Sequence, residues 1–472
     1  MRLRRVLTRS AVSGAVLFSG VAALSAAGTP GATAVPAADH GVLRAALPEG
    51  AIQHVIVIDL ENESFGSTFG PASPATYLNQ TLVPQGELIQ NYYGTGHVSL
   101  DNYIAQVSGQ APNPLSSSDC ASVVGGVLNG QFADMTPGTL DPNQGTYPGQ
   151  VDGTGCVYPS AVSTIGDQLT AGAEDGGHRP VWRGYAEDMG NTPARDLGTA
   201  DPLGGTDCAH PVVGGVDPTN GATAADQYAT RHNPFVYFHS VIDNSASCNA
   251  HVVPLGTVTV GAGGAPDTFS GHLAEDLAHE WTTPRFAFIT PNLCNDGHDA
   301  TCHGVNTEGG KTGGLVGADL WLKHWMPLIL GSPAYQNGHT LVVVTFDEGN
   351  PVSDTTSCCN EQPGPAQALP GISPLLGAFG ITPAGPGTGG GQVGAVLLNP
   401  RYIVAGTDNT TGSYNHYSAL RSYEDLLGLT TGGTDGEGHL GFAAAKGLTP
   451  FGTDVFPTHH STSGRDGTEK KT

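Results

Sequence analysis

The chain has few basic residues for its size. Of 472 residues, 18 are Lys or Arg and 42 are Asp or Glu, so the formal net charge is −24 at pH 7. Nucleic acids and anionic membrane surfaces repel so negative a protein, which argues against either as a simple electrostatic partner. An apolar run long enough to form a transmembrane helix is also missing. The sequence indicates no protein partner.

The N-terminal segment has the features of a secretory signal peptide. Four arginines precede an apolar stretch from about Ala11 to Ala27, and small residues follow before Val35. The stretch is short and broken by Ser and Gly, so it does not suit a membrane anchor. We predict a signal peptide at 1–34, a flexible leader at 35–50, one catalytic domain at 51–458 and a disordered tail at 459–472. The mature protein is then secreted and extracellular.

Cys-x-x-Cys pairs are missing, which argues against a structural zinc site. The eight cysteines are an even number in a chain predicted to be exported, and this favours disulfide bonds. Their pairing does not follow from the sequence. Cys294 and Cys302 are the best candidates for one bond, because they flank the short loop 295–301.

Glycine and proline are abundant, with 69 and 34 residues, and they concentrate in three stretches that we predict to be long surface loops: 112–155, 199–223 and 363–391. Between them, apolar runs predict strands at Ile52–Leu60, Pro180–Ala186, Phe235–Phe238, Arg285–Thr290, Thr340–Phe346 and Val393–Leu398. Helices are predicted at Ser163–Ala171, His272–His279, Gly317–Leu330 and Tyr417–Leu427. Strands that alternate with helices predict an α/β fold with a mostly parallel sheet.

Two predicted strands run directly into side chains that bind metals. Glu61-Asn62 follows the first strand, and Asp347-Glu348 follows the strand Thr340–Phe346. In open α/β sheets, ligands bind beyond the carboxyl ends of the strands, so the two doublets would converge on one cation if the strands are neighbours. The alternative for the first doublet is an ordinary helix start capped by Asn62 or Ser64.

A second candidate motif is His97-x-Ser99-x-x-Asn102. Ser99 follows Gly94-Thr95-Gly96 and is a candidate nucleophile, while Asn102 would donate to an anionic oxygen in the transition state. No Gly-x-Ser-x-Gly sequence surrounds Ser99, so a hydrolase triad of that type is poorly supported. The alternative is a turn rich in Gly, Ser and Asn with ordinary capping.

A third group of polar residues leaves the predicted strand Arg285–Thr290. Its candidates for phosphate binding, metal binding or proton transfer are Asn292, Asn295, Asp296, His298 and Asp299. The alternative is a surface loop whose polar groups satisfy one another. The Asn415-His416-Tyr417 stretch precedes a predicted helix, and a lone histidine such as His416 is usually structural.

The motifs Glu61-Asn62-x-Ser64-Phe65, His97-x-Ser99-x-x-Asn102-Tyr103, Ile289-Thr290-Pro291-Asn292 to His298-Asp299, Phe346-Asp347-Glu348 and Asn415-His416-Tyr417 occur in this order. Together they resemble the signatures of the bacterial phosphoesterase family, which includes secreted acid phosphatases and bacterial phospholipases C. The resemblance covers about Gln53 to Leu429. It implies an alkaline-phosphatase-like fold, with a doubly wound, mostly parallel sheet, helices on both faces and long Gly/Pro-rich loops.

The resemblance also implies roles for individual residues. Glu61, Asn62, Asp347 and Glu348 take the metal positions, Ser99 the nucleophile position and Asn102 a phosphoryl contact. His298 and His416 fall where the wider superfamily has metal-binding histidines. Here the doublets read Glu-Asn and Asp-Glu, where two-metal members have Asp and Asp-His. Because this ligand set is rich in oxygen, we expect one divalent ion, Ca²⁺, Mg²⁺ or Mn²⁺ rather than Zn²⁺, with both histidines acting on the phosphate or leaving group.

The expected function is a secreted, metal-dependent phosphatase of the acid phosphatase type that hydrolyses phosphate monoesters, phosphoinositides among the candidates, through a serine nucleophile. The expected substrate contacts are His97, Asn292, Asn295, Asp296, Arg231 and His232. For Arg231 and His232 the alternative is a surface ion pair. Two other functions remain open: a phospholipase C-type phosphodiesterase acting on a phospholipid headgroup, and a non-catalytic extracellular metal-binding protein.

Overall fold

The structure is a computed structural model that describes residues 47–457, apart from 125–126, 142–144, 174–179, 194, 218–222 and 368–388. The predicted signal peptide, most of the predicted leader and the predicted tail lie outside the described residues. So does most of the predicted loop at 363–391.

Eighteen strands occur in the described residues. In chain order they are β1 (His54–Leu60), β2 (Glu87–Ile89), β3 (Tyr92–Tyr93), β4 (Ala121–Val124), β5 (Val127–Gly130), β6 (Thr136–Leu140), β7 (Val151–Thr154), β8 (Trp182–Ala186), β9 (Leu197–Ala200), β10 (Thr206–His210), β11 (Val252–Pro254), β12 (Thr257–Thr259), β13 (Thr268–Ser270), β14 (Phe286–Thr290), β15 (Thr340–Phe346), β16 (Ala395–Leu398), β17 (Thr407–Asn409) and β18 (Tyr414–Asn415).

Eight of these strands form the central sheet, in the order β11-β8-β14-β1-β15-β16-β2-β17. Strand β16 is antiparallel to both of its neighbours. Every other pair of neighbours in this sheet is parallel. The predicted α/β fold with a mostly parallel sheet is therefore confirmed.

The α-helices of the described residues are α1 (Phe65–Thr68), α2 (Ser99–Ser108), α3 (Ile165–Ala171), α4 (His239–Ile242), α5 (Ser245–His251), α6 (His272–Asp276), α7 (Gly314–Gly331), α8 (Pro333–Gln336) and α9 (His416–Leu426). No helix in the described part of the chain combines the length and the apolar character needed to cross a membrane.

The centre of the sheet is covered on both faces. Every residue of β1 and of β15 is buried, although side chains of a strand point alternately to opposite faces. Their Val- and Ile-rich sequences suit this environment, because strands buried on both faces have no need of a polar face. The two strands are in register from His54 opposite Thr340 to Leu60 opposite Phe346, so they end side by side.

Three local predictions were wrong. Phe235–Phe238 is not a strand: a turn of 3-10 helix covers Pro234–Tyr237, because proline favours a helical first position, and Phe235 packs on Trp182. The segments 112–155 and 199–223 are not loops throughout, since they contain the β4–β5, β6–β7 and β9–β10 hairpins.

The third correction concerns the cysteines. Cys294 and Cys302 are buried but carry free thiols, and Cys302 Sγ lies 3.6 Å from the carbonyl oxygen of Cys294. The disulfide bonds of the described residues join Cys120 to Cys156, Cys208 to Cys248 and Cys358 to Cys359.

Candidate active site

The two polar doublets meet at the carboxyl end of the sheet, as expected. Because β1 and β15 end together, Glu61 and Asp347 are the first residues beyond two neighbouring strands. The backbone N–H of Asp347 donates to the carbonyl of Leu60 at 2.8 Å, which continues the pairing one residue past the strand.

A left-handed residue aligns the doublets. Asn62 has φ 55°, a conformation that asparagine adopts more readily than most residues. Its backbone N–H donates to Asp347 Oδ1 at 2.8 Å, and the N–H of Glu348 donates to the same oxygen at 2.6 Å. The side chain of Asn62 turns back, and its Nδ2 donates to Glu61 Oε2 at 2.7 Å. The first doublet is thus a strand exit hydrogen-bonded to the second. The short helix α1 does begin after it with Ser64 at the N-cap position, but Ser64 makes no side-chain capping hydrogen bond.

Ser99 reaches this group from a helix that the sequence did not predict. It is the first residue of α2, and its hydroxyl donates to Glu61 Oε2 at 2.8 Å. Two turns further along the same face of α2, Gln106 Nε2 donates to Asp59 Oδ2 at 2.6 Å. Asp59 and Glu61 point to one face of β1, so these two contacts fix the helix along the strand.

The start of α2 is capped from a distance. Val98 provides no side-chain cap, and Asp119 Oδ1 instead accepts the backbone N–H of Leu100 at 3.0 Å. The other carboxylate oxygen of Asp119 lies 3.8 Å from Arg231 Nε. Asp119 therefore links the start of α2, where Ser99 lies, to Arg231, a predicted phosphate contact.

Two buried polar atoms of the site, Asp347 Oδ2 and His97 Nε2, have no hydrogen-bond partner among the described residues. Three others, Glu61 Oε1, His232 Nε2 and Asp296 Oδ2, lie 3.1 to 3.5 Å from a polar atom of the opposite partner without the geometry of a hydrogen bond. Burying such atoms without a partner costs free energy, and carboxylate and imidazole atoms of this kind are metal ligands. The residues present therefore fit a divalent cation at the ends of β1 and β15.

The carboxylates are also too crowded to be charged together without a cation. Burial, followed by repulsion from Glu61 and Glu348, raises the pKa of Asp347 well above its usual value. Burial and the Glu61 charge raise the pKa of Glu348 in the same way. Burial also raises the pKa of Glu61 itself. A bound divalent cation would favour the ionised forms of all three.

His97 and His232 hold the two sides of this cluster. His97 Nδ1 donates to Glu348 Oε2 at 2.8 Å, and burial lowers the pKa of His97 to about 4, so its ring is neutral. His232 Nε2 lies 3.1 Å from Glu61 Oε1, and its Nδ1 lies 3.5 Å from Asp296 Oδ2. The His232 ring stacks on Tyr103 of α2 at a centroid distance of 5.3 Å. Neither His232 nor Arg231 forms the surface pair that was the alternative.

His298 is the exposed histidine of the group. Its Nδ1 donates to Asp299 Oδ1 at 2.8 Å, and this hydrogen bond is the main cause that raises the pKa of His298 to about 9. The loop comes close to β1 because Gly297 has φ 117°, and a Cβ there would lie 2.9 Å from the carbonyl oxygen of Glu61. His298 is protonated at neutral pH and faces solvent.

Asn102 is fully engaged within its own loop. Its Oδ1 accepts the backbone N–H groups of Thr95 and Gly96, and its Nδ2 donates to the carbonyls of Gly96 and Val98. It is completely buried. The structure therefore gives Asn102 a positioning role for the segment before Ser99, where the resemblance implied a phosphoryl contact.

Asn292 and Asn295 point to a different acidic pair, Glu187-Asp188, at the end of β8. The backbone N–H of Asn292 and the Nδ2 of Asn295 both donate to Glu187 Oε2 at 3.0 Å, and Asn292 Nδ2 donates to Asp188 Oδ2 at 2.9 Å. The expected substrate contacts of these two asparagines do not occur in this arrangement, because their amides are used inside the protein.

His416 also differs from the expectation. It is completely buried at the start of α9, where its Nε2 donates to the backbone carbonyl of Asp347 at 2.6 Å and its Nδ1 accepts from the Tyr92 hydroxyl at 3.2 Å. Burial lowers its pKa to about 4. His416 is thus a neutral residue that positions Asp347 from behind, and it does not reach the leaving group.

Sequence reasoning missed Asp59, Tyr103 and Asp119. A charged residue inside an apolar strand, as Asp59 is, was a readable signal, because aspartate is rarely buried without a partner. Tyr103 and Asp119 gave no such signal, since their roles depend on contacts with distant segments.

Solved structures with a similar course of the chain include two bacterial proteins. A protein of the alkaline phosphatase superfamily from Vibrio parahaemolyticus is 11% identical, with a TM-score of 0.39. The match covers 81% of this chain and 67% of the other. A sulfatase from Pseudoalteromonas sp. is 13% identical, with a TM-score of 0.38 and coverages of 86% and 76%.

Sequence relatives include fungal proteins described as acid phosphatases. The chain is 25% identical to the acid phosphatase of Aspergillus fumigatus over 267 residues, which are 57% of this chain and 39% of the relative. It is 26% identical to the phosphate-repressible acid phosphatase of Penicillium chrysogenum over 381 residues, 80% of this chain and 60% of the relative. The chain thus spans less than two thirds of the length of these curated relatives.

A family model supports the motif resemblance directly. The model of the Phosphoesterase family matches residues 74–430, which include Ser99, Asp347 and His416 and most of the motifs named above. The resemblance read from those motifs is confirmed: the chain belongs to the Phosphoesterase family.

Proposed function

We propose that the protein is a secreted, metal-dependent phosphatase that hydrolyses phosphate monoesters through Ser99. The observation that carries the proposal is the 2.8 Å hydrogen bond from the Ser99 hydroxyl to Glu61, beside the buried Asp347 Oδ2, which has no hydrogen-bond partner among the described residues. A purely structural cation site has no use for a buried serine hydroxyl at the start of a helix. Family membership and the fungal acid phosphatase relatives support the same reaction class.

The residues that would hold the cation are Glu61, Asn62, Asp347 and Glu348. Their carboxylate and amide oxygens suit a hard ion such as Ca²⁺, Mg²⁺ or Mn²⁺. Among the described residues, the groups of three Asp, Glu or His whose ligand atoms lie within 4.8 Å of one another do not include these carboxylates. These four residues would hold the ion together with ligands from outside the protein. Such an ion, when bound, neutralises phosphoryl oxygens and makes a serine hydroxyl more acidic.

The reaction then follows from the positions of the side chains. Ser99 transfers its proton toward Glu61 Oε2, and its oxygen attacks phosphorus in line with the leaving oxygen. Ser99 is the first residue of a ten-residue helix, and the positive end of the helix dipole favours the phosphate dianion. Arg231, held by Asp119, adds positive charge on the same side.

His298 is the candidate general acid. It is protonated and exposed at the edge of the site, so it can give a proton to the departing alkoxide as the bond between phosphorus and oxygen breaks. In the second step the now neutral His298 takes a proton from water, whose oxygen attacks the phosphoserine and releases inorganic phosphate, and the proton held by Glu61 returns to the Ser99 oxygen. His416 takes no part in these steps, and its contact with Asp347 keeps the carboxylate in position.

Export of the protein is supported by the three disulfide bonds, since such bonds persist in oxidising compartments.

The test is hydrolysis of p-nitrophenyl phosphate from pH 4 to 9, with and without EDTA and with Ca²⁺, Mg²⁺ or Mn²⁺ added back. We expect turnover that EDTA abolishes and one of these ions restores. Acid quenching during turnover should give a phosphorylated protein whose modified peptide contains Ser99. Turnover that survives complete metal removal would contradict the proposal.

The same assay separates the substrate classes. We expect p-nitrophenyl phosphate to be hydrolysed faster than bis-p-nitrophenyl phosphate or phosphatidylcholine. The opposite order would favour a phosphodiesterase of the phospholipase C type, which the family also contains, over a phosphomonoesterase.

A further inference from the structure

Three side chains that the proposed reaction does not use converge near the β11 edge of the central sheet. Asp201, Asp207 and His272 each offer one ligand atom, and these atoms all lie within 4.8 Å of one another. Asp201 lies in the turn between β9 and β10, Asp207 lies in β10, and His272 is the first residue of α6. Segments that are more than sixty residues apart in the sequence thus supply one cluster.

The β9–β10 hairpin is held close to the ends of β8 and β11. The backbone N–H of Thr206 donates to the carbonyl of Met189 at 3.1 Å. Gly205 has φ 86°, and a Cβ at this position would lie 2.5 Å from the Met189 carbonyl oxygen and 2.9 Å from Pro254. The disulfide bond of Cys208 fixes the next residue of β10 to α5. The backbone that carries Asp201 and Asp207 is therefore firmly positioned.

The second observation is a buried carboxylate oxygen with no donor. Asp207 is 9% exposed, and its Oδ1 has no hydrogen-bond partner among the described residues. The neighbouring Asp201 accepts from His272 Nε2 at 2.5 Å and from the backbone N–H of Leu203. The side chains of Asp201 and Asp207 hydrogen-bond to each other, which requires a shared proton when no cation is present, and His272 donates to Asp201. The nearby Arg183 acts on Asp207 only through its charge, because its Nε lies 3.2 Å from Asp276.

We propose that Asp201, Asp207 and His272 bind a zinc-class divalent ion at a site separate from the candidate active site. Zn²⁺ binds to carboxylate oxygens and imidazole nitrogens. It takes three protein ligands where water fills the fourth position, and this cluster offers three. Ca²⁺ fits less well, since it takes six to eight oxygen ligands. Three strand spacings separate β11 from β1, which is about 14 Å at ~4.8 Å per strand. The absence of Cys-x-x-Cys pairs does not bear on this ligand set, which contains no cysteine.

The ion would join the β9–β10 hairpin to α6, in addition to the disulfide bond that joins it to α5. A second cluster, Asp435, Glu437 and His439, provides the internal comparison. Its ligand atoms are equally close, but none of its three side chains has a buried polar atom without a hydrogen-bond partner. His439 contacts Asp435 through Nδ1 at 2.6 Å and Asp425 through Nε2 at 3.2 Å. We assign no metal to that cluster.

The experiment uses the full chain, stripped of metal with EDTA and then dialysed against Zn²⁺ alone. Bound zinc is measured by mass spectrometry of the element, and the melting temperature is measured with and without zinc. The test variants are Asp207→Asn and His272→Gln. His439→Gln is the control for a histidine in the second cluster, and Asp347→Asn is the control for the candidate active site.

We expect Asp207→Asn and His272→Gln to bind about one zinc ion per chain fewer than the parent protein, and to lose the rise in melting temperature that zinc causes. In EDTA, Asp207→Asn should melt no lower than the parent, because the new amide can donate to Asp201 in place of the proton that the two carboxyl groups share. Co²⁺ should give a visible absorption band in the parent and in Asp347→Asn, but not in His272→Gln.

The activity measurement keeps this proposal separate from the proposed function. With Mg²⁺, Mn²⁺ or Ca²⁺ supplied, phosphatase activity of His272→Gln should stay within about twofold of the parent, while Asp347→Asn loses turnover and keeps the zinc response of the second site. Equal zinc content and equal zinc-dependent melting in the parent, Asp207→Asn and His272→Gln would overturn the proposal.

Discussion

Two strand exits in this protein have the same design and different surroundings. Glu61-Asn62 follows β1 and Glu187-Asp188 follows β8, and in both pairs the second residue is left-handed, with φ 55° at Asn62 and 63° at Asp188. Glu61 is buried and Glu187 half-buried, each lies beside further acidic groups, and removal from water is the main cause that raises the pKa of each. The two strand exits therefore resemble each other both in their acidic residues and in their backbone conformation.

The difference lies in what their oxygens contact. Glu187 Oε2 accepts from Asn292 and Asn295, and Asp188 accepts from Asn191, Asn292 and Gln227. Around Glu61, by contrast, the neighbouring Asp347 Oδ2 has no hydrogen-bond partner among the described residues. Glu61 Oε1 lies 3.1 Å from His232 Nε2, and Glu61 Oε2 accepts from Asn62 and from Ser99, a hydroxyl able to react. An acidic strand exit is therefore a candidate active site when a buried carboxylate oxygen without a donor and a serine hydroxyl lie beside it, and a structural element when amides alone surround it.

The largest effect that this comparison predicts is for Ser99. We expect Ser99→Ala to lower kcat by about 10⁴-fold or more, because the nucleophile is lost. Ser108→Ala is the matched control at the other end of α2, where the buried hydroxyl donates to the Ile104 carbonyl at 2.7 Å. It should leave kcat nearly unchanged. Steady-state kinetics with p-nitrophenyl phosphate measure both, and similar losses in the two variants would contradict the role of Ser99.

A smaller effect is expected for His298→Gln. Loss of a general acid costs about 10²-fold or more with an alkyl phosphate, whose leaving alkoxide needs a proton. With p-nitrophenyl phosphate the loss should be much smaller, because p-nitrophenolate is a good leaving group. An equal loss with both substrates would show that His298 does not protonate the leaving group.

A still smaller effect concerns the pH profile. The hydrogen bond that His298 donates to Asp299 is the main cause that raises the pKa of His298 to about 9. In Asp299→Asn the pKa of His298 should fall, so the protonated acid is lost at a lower pH. We therefore expect the alkaline limb of kcat/KM to move toward neutral pH by about one unit or more. An unchanged limb would contradict this assignment.

The smallest predicted effect is on stability. Burial raises the pKa values of Glu61, Asp347 and Glu348 in the folded protein, so the stability associated with their protonated forms is present at acidic pH and lost as the pH rises. In EDTA, the melting temperature should fall by a few degrees between pH 5 and pH 8. A divalent ion should reduce this fall. A melting temperature that rises over this range in EDTA would contradict the arrangement.

Much of the sheet could be predicted from the sequence. Strand β15 has the predicted bounds, and β1 differs by two residues, because continuous apolar runs between polar residues define such strands well. The convergence of Glu61 and Asp347 followed from the rule for strand ends once the strands were neighbours. Helix α2 could not be predicted in the same way, since all ten of its residues are buried and it has no polar face to reveal its period.

The roles of the amide and imidazole side chains were not readable from the sequence. Asn102, Asn292 and His416 lie in matching motifs, but their hydrogen bonds are made to groups of the protein itself. Whether such a side chain faces a substrate or the protein depends on contacts between segments far apart in the sequence, as the bond between His416 and Asp347, 69 residues apart, illustrates.

The most direct test compares the two strand exits by one substitution in each. Glu61→Gln and Glu187→Gln keep the shape of the side chain and remove its charge, and each variant is assayed for bound divalent metal and for hydrolysis of p-nitrophenyl phosphate. Our account predicts that Glu61→Gln loses the metal and the turnover, while Glu187→Gln keeps both, because its amide donors still have a carbonyl oxygen to bind. Metal binding and turnover that survive in Glu61→Gln, or that are lost equally in both variants, would contradict it.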